Sequence, residues 1–167
     1  MLLKNCINFN PSEKLKDNLY RKFSMDQVVP YQRKVFSNVF ELFKGGSKFR
    51  NGDTIFARIT PCLENGKTAY INCLNNDELA FGSTEFIVAR AIEKTTISLY
   101  VYYLLCSKKV RNVAIASMIG SSGRERVQQT ALDNLDINLP SIPTQQHIVD
   151  TIFQLSTNQN KSYFLYI

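Results

Sequence analysis

The residue types that do chemistry are few in this chain. Its four cysteines, Cys6, Cys62, Cys73 and Cys106, are widely spaced, and His147 is its one histidine. No C-x₂-C pair is present, so a zinc ribbon or finger has no ligand set and no metal is expected. The cysteines read as small buried or half-buried hydrophobes, and a disulfide framework is not expected. His147 follows Gln145 and Gln146 at the start of a predicted helix, the place of a surface or packing residue. No serine sits in a G-x-S-x-G elbow, which leaves a Ser-His or Cys-His hydrolase without parts. Gly120-Ser121-Ser122-Gly123 lacks the G-K-[ST] ending of a P-loop, and Gly45-Gly46-Ser47-Lys48 lacks the upstream glycine. Asn10-Pro11-Ser12 has neither the second proline nor the aromatic of a methyltransferase tetrapeptide. Glu64-Asn65-Gly66-Lys67 is one residue too long for the Glu-x-Lys triplet of metal-dependent nucleases and sits in a turn. The expectation is a chain without catalytic residues, metal or cofactor.

What remains is charge. The formal net charge is +6, which favours an anionic partner. It is sorted by segment: residues 1–33 and 34–67 each carry +3 and residues 108–129 carry +4, whereas residues 68–107 and 130–167 each carry −2. If the three basic segments converge on folding they make one basic surface; otherwise they are a solvated face that keeps the protein soluble.

The elements that must position these charges follow from the pattern. With 167 residues, 44% of them hydrophobic, the chain reads as one globular domain with a short appended element. Its longest apolar run, residues 97–106, is half of the roughly 20 residues that a membrane span needs. The N-terminus lacks a secretory signal pattern, so a cytoplasmic location is expected. Residues 9–33 read as irregular and basic, wrapped on a core, with one short strand at Leu19–Phe23. A turn at Asn51-Gly52 leads into a strand alternating through Ile55, Ala57 and Ile59, with Phe56 and Arg58 on the opposite face. A second turn over residues 63–67 and a returning strand over 68–74 complete a hairpin. Residues 79–81 and 84–91 read as further strands. From Ser98 the period changes to that of one or two helices. Residues 121–126 form a flexible basic loop before a short helix near 130–135, and 136–140 read as a last strand. Thr144 then N-caps a helix through Ser156, with Ile148, Val149, Ile152, Phe153 and Leu155 as its apolar stripe. Five apolar residues are more than a terminal helix on a small domain usually exposes, so the stripe is expected to meet another protein helix, with packing back on the chain's own domain as the other reading.

Several segments stand out as motifs: Asn8-Phe9-Asn10-Pro11, Lys48-Phe49-Arg50-Asn51-Gly52-Asp53-Thr54, the run from Ala57 through Thr60-Pro61-Cys62-Leu63-Glu64-Asn65-Gly66-Lys67 to Ala69, and Phe81-Gly82-Ser83-Thr84-Glu85-Phe86. Gly120-Ser121-Ser122-Gly123-Arg124 and Asn138-Leu139-Pro140-Ser141-Ile142-Pro143-Thr144-Gln145-Gln146-His147-Ile148 continue the series. In order and spacing they resemble the target recognition domain of Type I restriction-modification specificity (S) subunits. The resemblance implies an α+β fold, a mixed, largely antiparallel sheet with packed helices over residues 1–142. It implies that residues 143–167 begin a spacer or dimerisation helix, here truncated. Family subunits usually carry two such domains and two spacers, so this chain reads as a half-sized or truncated one.

The implied role is a non-catalytic specificity subunit that reads one half of a bipartite target in double-stranded DNA. Its implied partners are the methyltransferase subunits, through them the restriction subunit, and a second specificity half-subunit. Lys and Arg would neutralise phosphates, while Arg, Asn or Gln would read base edges from glycine-flanked loops. The candidates are Lys44, Lys48, Arg50, Arg58 and Lys67 from one basic segment and Arg124, Arg126 and Gln128 from the other. Arg58 has a second reading, as a structural partner of Glu64 or Glu85. Ser83 and Thr84 are expected to close a turn while Phe86 and Val88 enter the core. Two further classes stay open: a non-specific basic nucleic-acid or protein-interaction module, and a fragment of a DNA-processing enzyme.

Overall fold

The computed structural model describes residues 1–158; residues 159–167, the last part of the predicted spacer segment, lie outside the described residues. The strands are β1 (Ile7–Phe9), β2 (Leu19–Phe23), β3 (Phe40–Leu42), β4 (Ser47–Arg50), β5 (Thr54–Ala57), β6 (Thr68–Tyr70), β7 (Leu79–Gly82) and β8 (Phe86–Ala91). The helices are α1 (Ser98–Cys106), α2 (Lys108–Ala116), α3 (Gln129–Asp133) and α4 (Ile142–Asn158). The fold class is α+β as expected. Its strands divide into two sheets of four, ordered β1-β8-β5-β6 and β3-β2-β7-β4, in which only the β2–β7 pairing is parallel.

The first sheet is buried on both faces. Phe56, Ile87 and Ala89 pack on Val101 and Leu105 of α1 and Val110 and Ala114 of α2. Ile55, Ala69, Phe86 and Val88 point the other way, onto Phe23, Phe49 and Ala80 of the second sheet. Every residue of β5 is therefore buried. The predicted alternation holds as a division between two cores, not as a wet face and a dry one. Helix α1 is apolar nearly all round because it is enclosed, with the first sheet on one side and α4 on the other.

Other expectations need correction. Residues 136–140 make no strand; they are held to the N-terminus by a single bridge between Leu2 and Asp136, where the terminal ammonium meets the Asp136 carboxylate at 2.7 Å. Helix α4 begins three residues earlier than predicted, and Ser141, not Thr144, caps it: the Ser141 hydroxyl accepts the Thr144 N–H. Gln145, fully buried, accepts the Ile97 N–H at 3.0 Å and donates to the Thr95 and Pro140 carbonyls, tying the first turn of α4 to that of α1.

One ion cluster joins the two sheets to the N-terminal arm. Asp53, 1% exposed, accepts Nε and Nη2 of Arg90, both at 2.7 Å, and the backbone N–H of Arg50 at 2.9 Å. Arg90 Nη1 reaches Glu13 at 2.6 Å. The hydrogen bonds that Arg90 donates to Asp53, with Glu13 beside them, push the Arg90 pKa further up. The Asn51-Gly52 turn is thereby used in full: Asn51 pairs through its amide with the backbone of Leu74, Gly52 donates to Ile71, and Asp53 clamps β8. Asp53→Ala strands a mostly buried guanidinium and is expected to lower stability by about 3 kcal/mol in urea denaturation.

A second pair, Arg21–Glu78 at 2.8 Å, links β2 to the start of β7. The Arg21 hydrogen bond holds the Glu78 carboxyl below its ordinary value. A carboxylate with a depressed folded pKa stabilises fully above its unfolded pKa and loses that contribution as pH falls through the folded value. Glu78→Gln should therefore lower stability at neutral pH and flatten its fall on the acid side, measured by urea denaturation from pH 7 to pH 3.

Candidate nucleic-acid interface

The two basic segments meet through backbone pairing. Ile59, just past β5, bridges Arg126, and Arg126 also bridges Ile119. Around these bridges Thr60 donates to Glu125 at 3.0 Å, Val127 to Arg58 at 2.9 Å, and Arg58 to Glu85 at 2.9 Å. Residues 119–126 thus form a short ribbon laid across the end of the first sheet. Gly120 makes its return possible: its φ is +143°, and a Cβ there would lie 2.8 Å from the Arg124 carbonyl oxygen. The predicted flexible loop is in fact pinned at Arg126, while residues 121–124 are exposed.

Beside the ribbon runs an open groove of about 300 Å³ between the arm at residues 10–13, residues 46–48, Arg58 and Thr84. The arm is held by Asn10, whose backbone N–H donates to Val88 and whose side-chain carbonyl accepts the Val88 N–H, and by Glu13 of the ion cluster. The opposite wall depends on Gly46, at φ +120°, where a Cβ would fall 2.0 Å from the Gly82 carbonyl oxygen. Lys48 reaches across the groove, donating to the Glu13 carbonyl at 2.9 Å, with its ammonium 4.9 Å from the Phe43 ring centre. Arg58 lines the groove with a single long contact, Nη2 to the Val127 carbonyl at 3.5 Å; its Nε is buried with no hydrogen-bond partner among the described residues. Arg126, on the ribbon, is clasped by Glu85, which accepts from Nε and Nη2.

The predicted residues therefore divide. Lys48, Arg58 and Arg126 gather at the groove and ribbon, with Arg124 exposed on the ribbon's tip. Lys44 and Arg50 are exposed at either side of β4, and Arg50 approaches Glu13 only at 3.9 Å. Lys67 lies apart from the groove lining, and its ammonium donates to the Met25 carbonyl at 2.8 Å. Gln128 spends its amide on the Arg126 carbonyl at 3.2 Å. The Arg58 guanidinium pairs with neither the Glu64 nor the Glu85 carboxylate among the described residues; Arg58 meets Glu85 only through its backbone N–H. Glu64 takes the Thr60 hydroxyl, and its loop is clamped by Arg111 of α2 through the Leu63 and Glu64 carbonyls. The 83–86 turn is as expected, with the Ser83 hydroxyl accepting the Glu85 N–H and Phe86 and Val88 in the core. Sequence reasoning offered Glu85 as a partner of Arg58 and missed Arg126 as its actual one, and it missed the groove wall at Glu13. The only signal was an acidic side chain in each, and topology alone gives them partners 41 and 37 or more residues away.

The thiols are free: Cys6 is buried and the other three are half-buried. Burial pushes the Cys6 and Cys73 thiols up, and that of Cys106 to about 11, so these three stay protonated near neutrality. Among the described residues no group of three His, Cys, Asp or Glu side chains is placed to hold a metal ion, and no helix is long and apolar enough to cross a membrane.

The stripe on α4 is split by the fold. Val149 and Ile152, 5% and 8% exposed, pack on Tyr100, Tyr102 and Tyr103 of α1, with half-buried Ile148 at the margin. Those two residues face the chain's own domain, a correction to the expectation that they meet another protein's helix. Phe153 lies outside it under the Arg33 guanidinium, 5.7 Å from its ring centre, and Leu155 is 59% exposed.

Fold and site define a two-sheet domain that presents a basic, glycine-walled groove. In fold it is similar to the crystal structure of the HsdS subunit from Thermoanaerobacter tengcongensis, with a TM-score of 0.76 at 22% identity, covering 95% of this chain and 41% of that one. The S subunit of a Type I restriction-modification system from M. genitalium has a TM-score of 0.55 at 14% identity, over 94% and 38% of the two chains. Residues 12–162 match the family described as the Type I restriction modification DNA specificity domain. The chain belongs to this family. The specificity subunits of the Type I restriction enzymes EcoAI and EcoEI, both from Escherichia coli, are 34% and 33% identical over 112 and 115 residues, which is 67% and 69% of this chain. The matched region spans 19% of each of those relatives. Because α4 seats Ile152 but not Leu155, Ile152→Asp should lower the melting temperature sharply, whereas Leu155→Asp should leave stability within about 0.5 kcal/mol of the parent.

Proposed function

We propose that this chain is the DNA-reading part of a Type I restriction-modification specificity subunit, recognising one half of a bipartite duplex target and carrying out no catalytic step itself. The observation that carries the reading is the convergence of two basic segments, separated by some forty residues of opposite net charge, on one groove and one ribbon. Lys48 and Arg58 in the groove, with Arg124, Lys44 and Arg50 around it, supply phosphate contacts that position the duplex. Residues 1–142 act as the recognition domain, and the segment 143–167 begins the spacer. Its exposed Phe153 and Leu155 meet a methyltransferase subunit or the spacer of a second half-subunit; the restriction subunit joins through the methyltransferase. The setting is the cytoplasm, where such a complex meets DNA.

Selection of the full chain against a pool of random duplexes tests this reading. An enriched short motif is expected, with a log–log salt dependence whose slope is about −0.9 per phosphate neutralised. Equal affinity for all duplexes at fixed salt would favour a non-specific basic module. Duplex cleavage by the pure chain, lost on replacing a named acidic residue such as Glu85, would favour an enzyme fragment.

A further inference from the structure

The clasp between Arg126 and Glu85 fixes which edge of the guanidinium is left open. Both Glu85 oxygens lie 3.0 Å from Nε, and one of them takes Nη2 at 2.6 Å, so the carboxylate occupies the Nε–Nη2 side. Nη1 donates to the Arg124 carbonyl at 3.2 Å. A guanidinium has five N–H donors in one plane. With three engaged, one remains on each terminal nitrogen, and the side chain is 42% exposed. The backbone is as constrained as the head: Arg126 exchanges two hydrogen bonds with Ile119, at 2.9 and 3.1 Å, and bridges Ile59 on its other side. Few rotamers are left to be lost on binding.

Two coplanar donors on a fixed arginine fit two acceptors side by side, which are offered by O6 and N7 of guanine in the major groove and by two oxygens of a phosphate. Charge decides between them. Glu85, 23% exposed, neutralises Arg126 and sets a carboxylate beside the approach, which weakens attraction for a phosphate while leaving hydrogen bonding to a neutral base intact. Among the described residues no carboxylate pairs with the neighbouring Arg58 guanidinium, which keeps the phosphate role.

We propose that Arg126 reads a guanine through its terminal edge and that Glu85 is the positioning residue that aims it. This rests on the DNA-reading function proposed above and adds the base class and the residue that reads it.

The test uses the full chain and the duplex motif that it enriches. At one guanine, Arg126→Lys should reduce discrimination by roughly one to two orders of magnitude while preferences elsewhere in the motif persist. Glu85→Ala should relax the same position, and the double variant Glu85→Ala/Arg126→Ala should do no more than Arg126→Ala alone, with melting temperatures near the parent's. From the DNA side, 7-deazaguanine at that position removes the N7 acceptor and should weaken the parent protein but not Arg126→Lys. An unchanged motif in Arg126→Lys, or a salt slope that falls by about 0.9 in Arg126→Ala with the motif intact, would make Arg126 a phosphate ligand or a structural residue and overturn the proposal. A parent chain that enriches no motif would overturn the DNA-reading function itself, an outcome distinct from a motif that survives loss of Arg126.

Discussion

A carboxylate that is almost wholly buried must be paired, and the way Asp53 is paired organises this molecule. Its partner Arg90 rises from β8 in the middle of the first sheet, and Arg90 in turn captures Glu13. The consequence is positional. An arm that has little hydrophobic anchoring of its own is drawn against the sheet, and the wall of the groove exists because it is held there. Lys48 then finds the Glu13 carbonyl across the gap. A stability element and a candidate binding surface are thus the same set of contacts, which is why the Asn-Gly-Asp turn is spent on framework rather than on a ligand.

The groove and the ribbon divide two tasks that a DNA-binding surface has to perform. Among the described residues no carboxylate pairs with the Arg58 guanidinium, which keeps one long contact to a backbone carbonyl, a state that suits an approaching anion. Arg126 is neutralised and immobilised, a state that suits shape-specific hydrogen bonding. Placing both at one end of the first sheet lets phosphate contacts set the register in which a base edge is read. The helix that follows is anchored by buried Gln145 and by Val149 and Ile152 on the tyrosines of α1, so its direction is fixed relative to that surface.

Much of the scaffold was legible from residue pattern. β2 lies where its apolar spacing puts it, the hairpin over β5 and β6 follows its Asn-Gly and Asn65-Gly66 turns, and the change of period at Ser98 marks α1. β1, β3 and β4 were left unassigned because none carries an alternation to read: β1 and β4 each bury one residue, and β3 is exposed throughout. The division into two sheets was hidden for a related reason: a strand buried on both faces shows no alternation. The candidate site was legible as residue types but not as partnerships. Lys67 and Arg126 look alike as basic residues beside glycine turns, and only the fold gives one a backbone carbonyl and the other a carboxylate. On α4 the inward side of the stripe was ambiguous until α1 supplied a partner that is apolar on all sides.

The central claim is that the groove and ribbon form the surface that meets DNA. Amide hydrogen exchange of the chain, free and bound to the duplex it selects most strongly, addresses that claim directly. Exchange is predicted to slow at residues 46–48 and 120–126 and to remain unchanged along the exposed edge strand β3. Protection confined to β3 and its exposed Phe40 and Leu42, with residues 46–48 and 120–126 exchanging as in the free chain, would contradict the account.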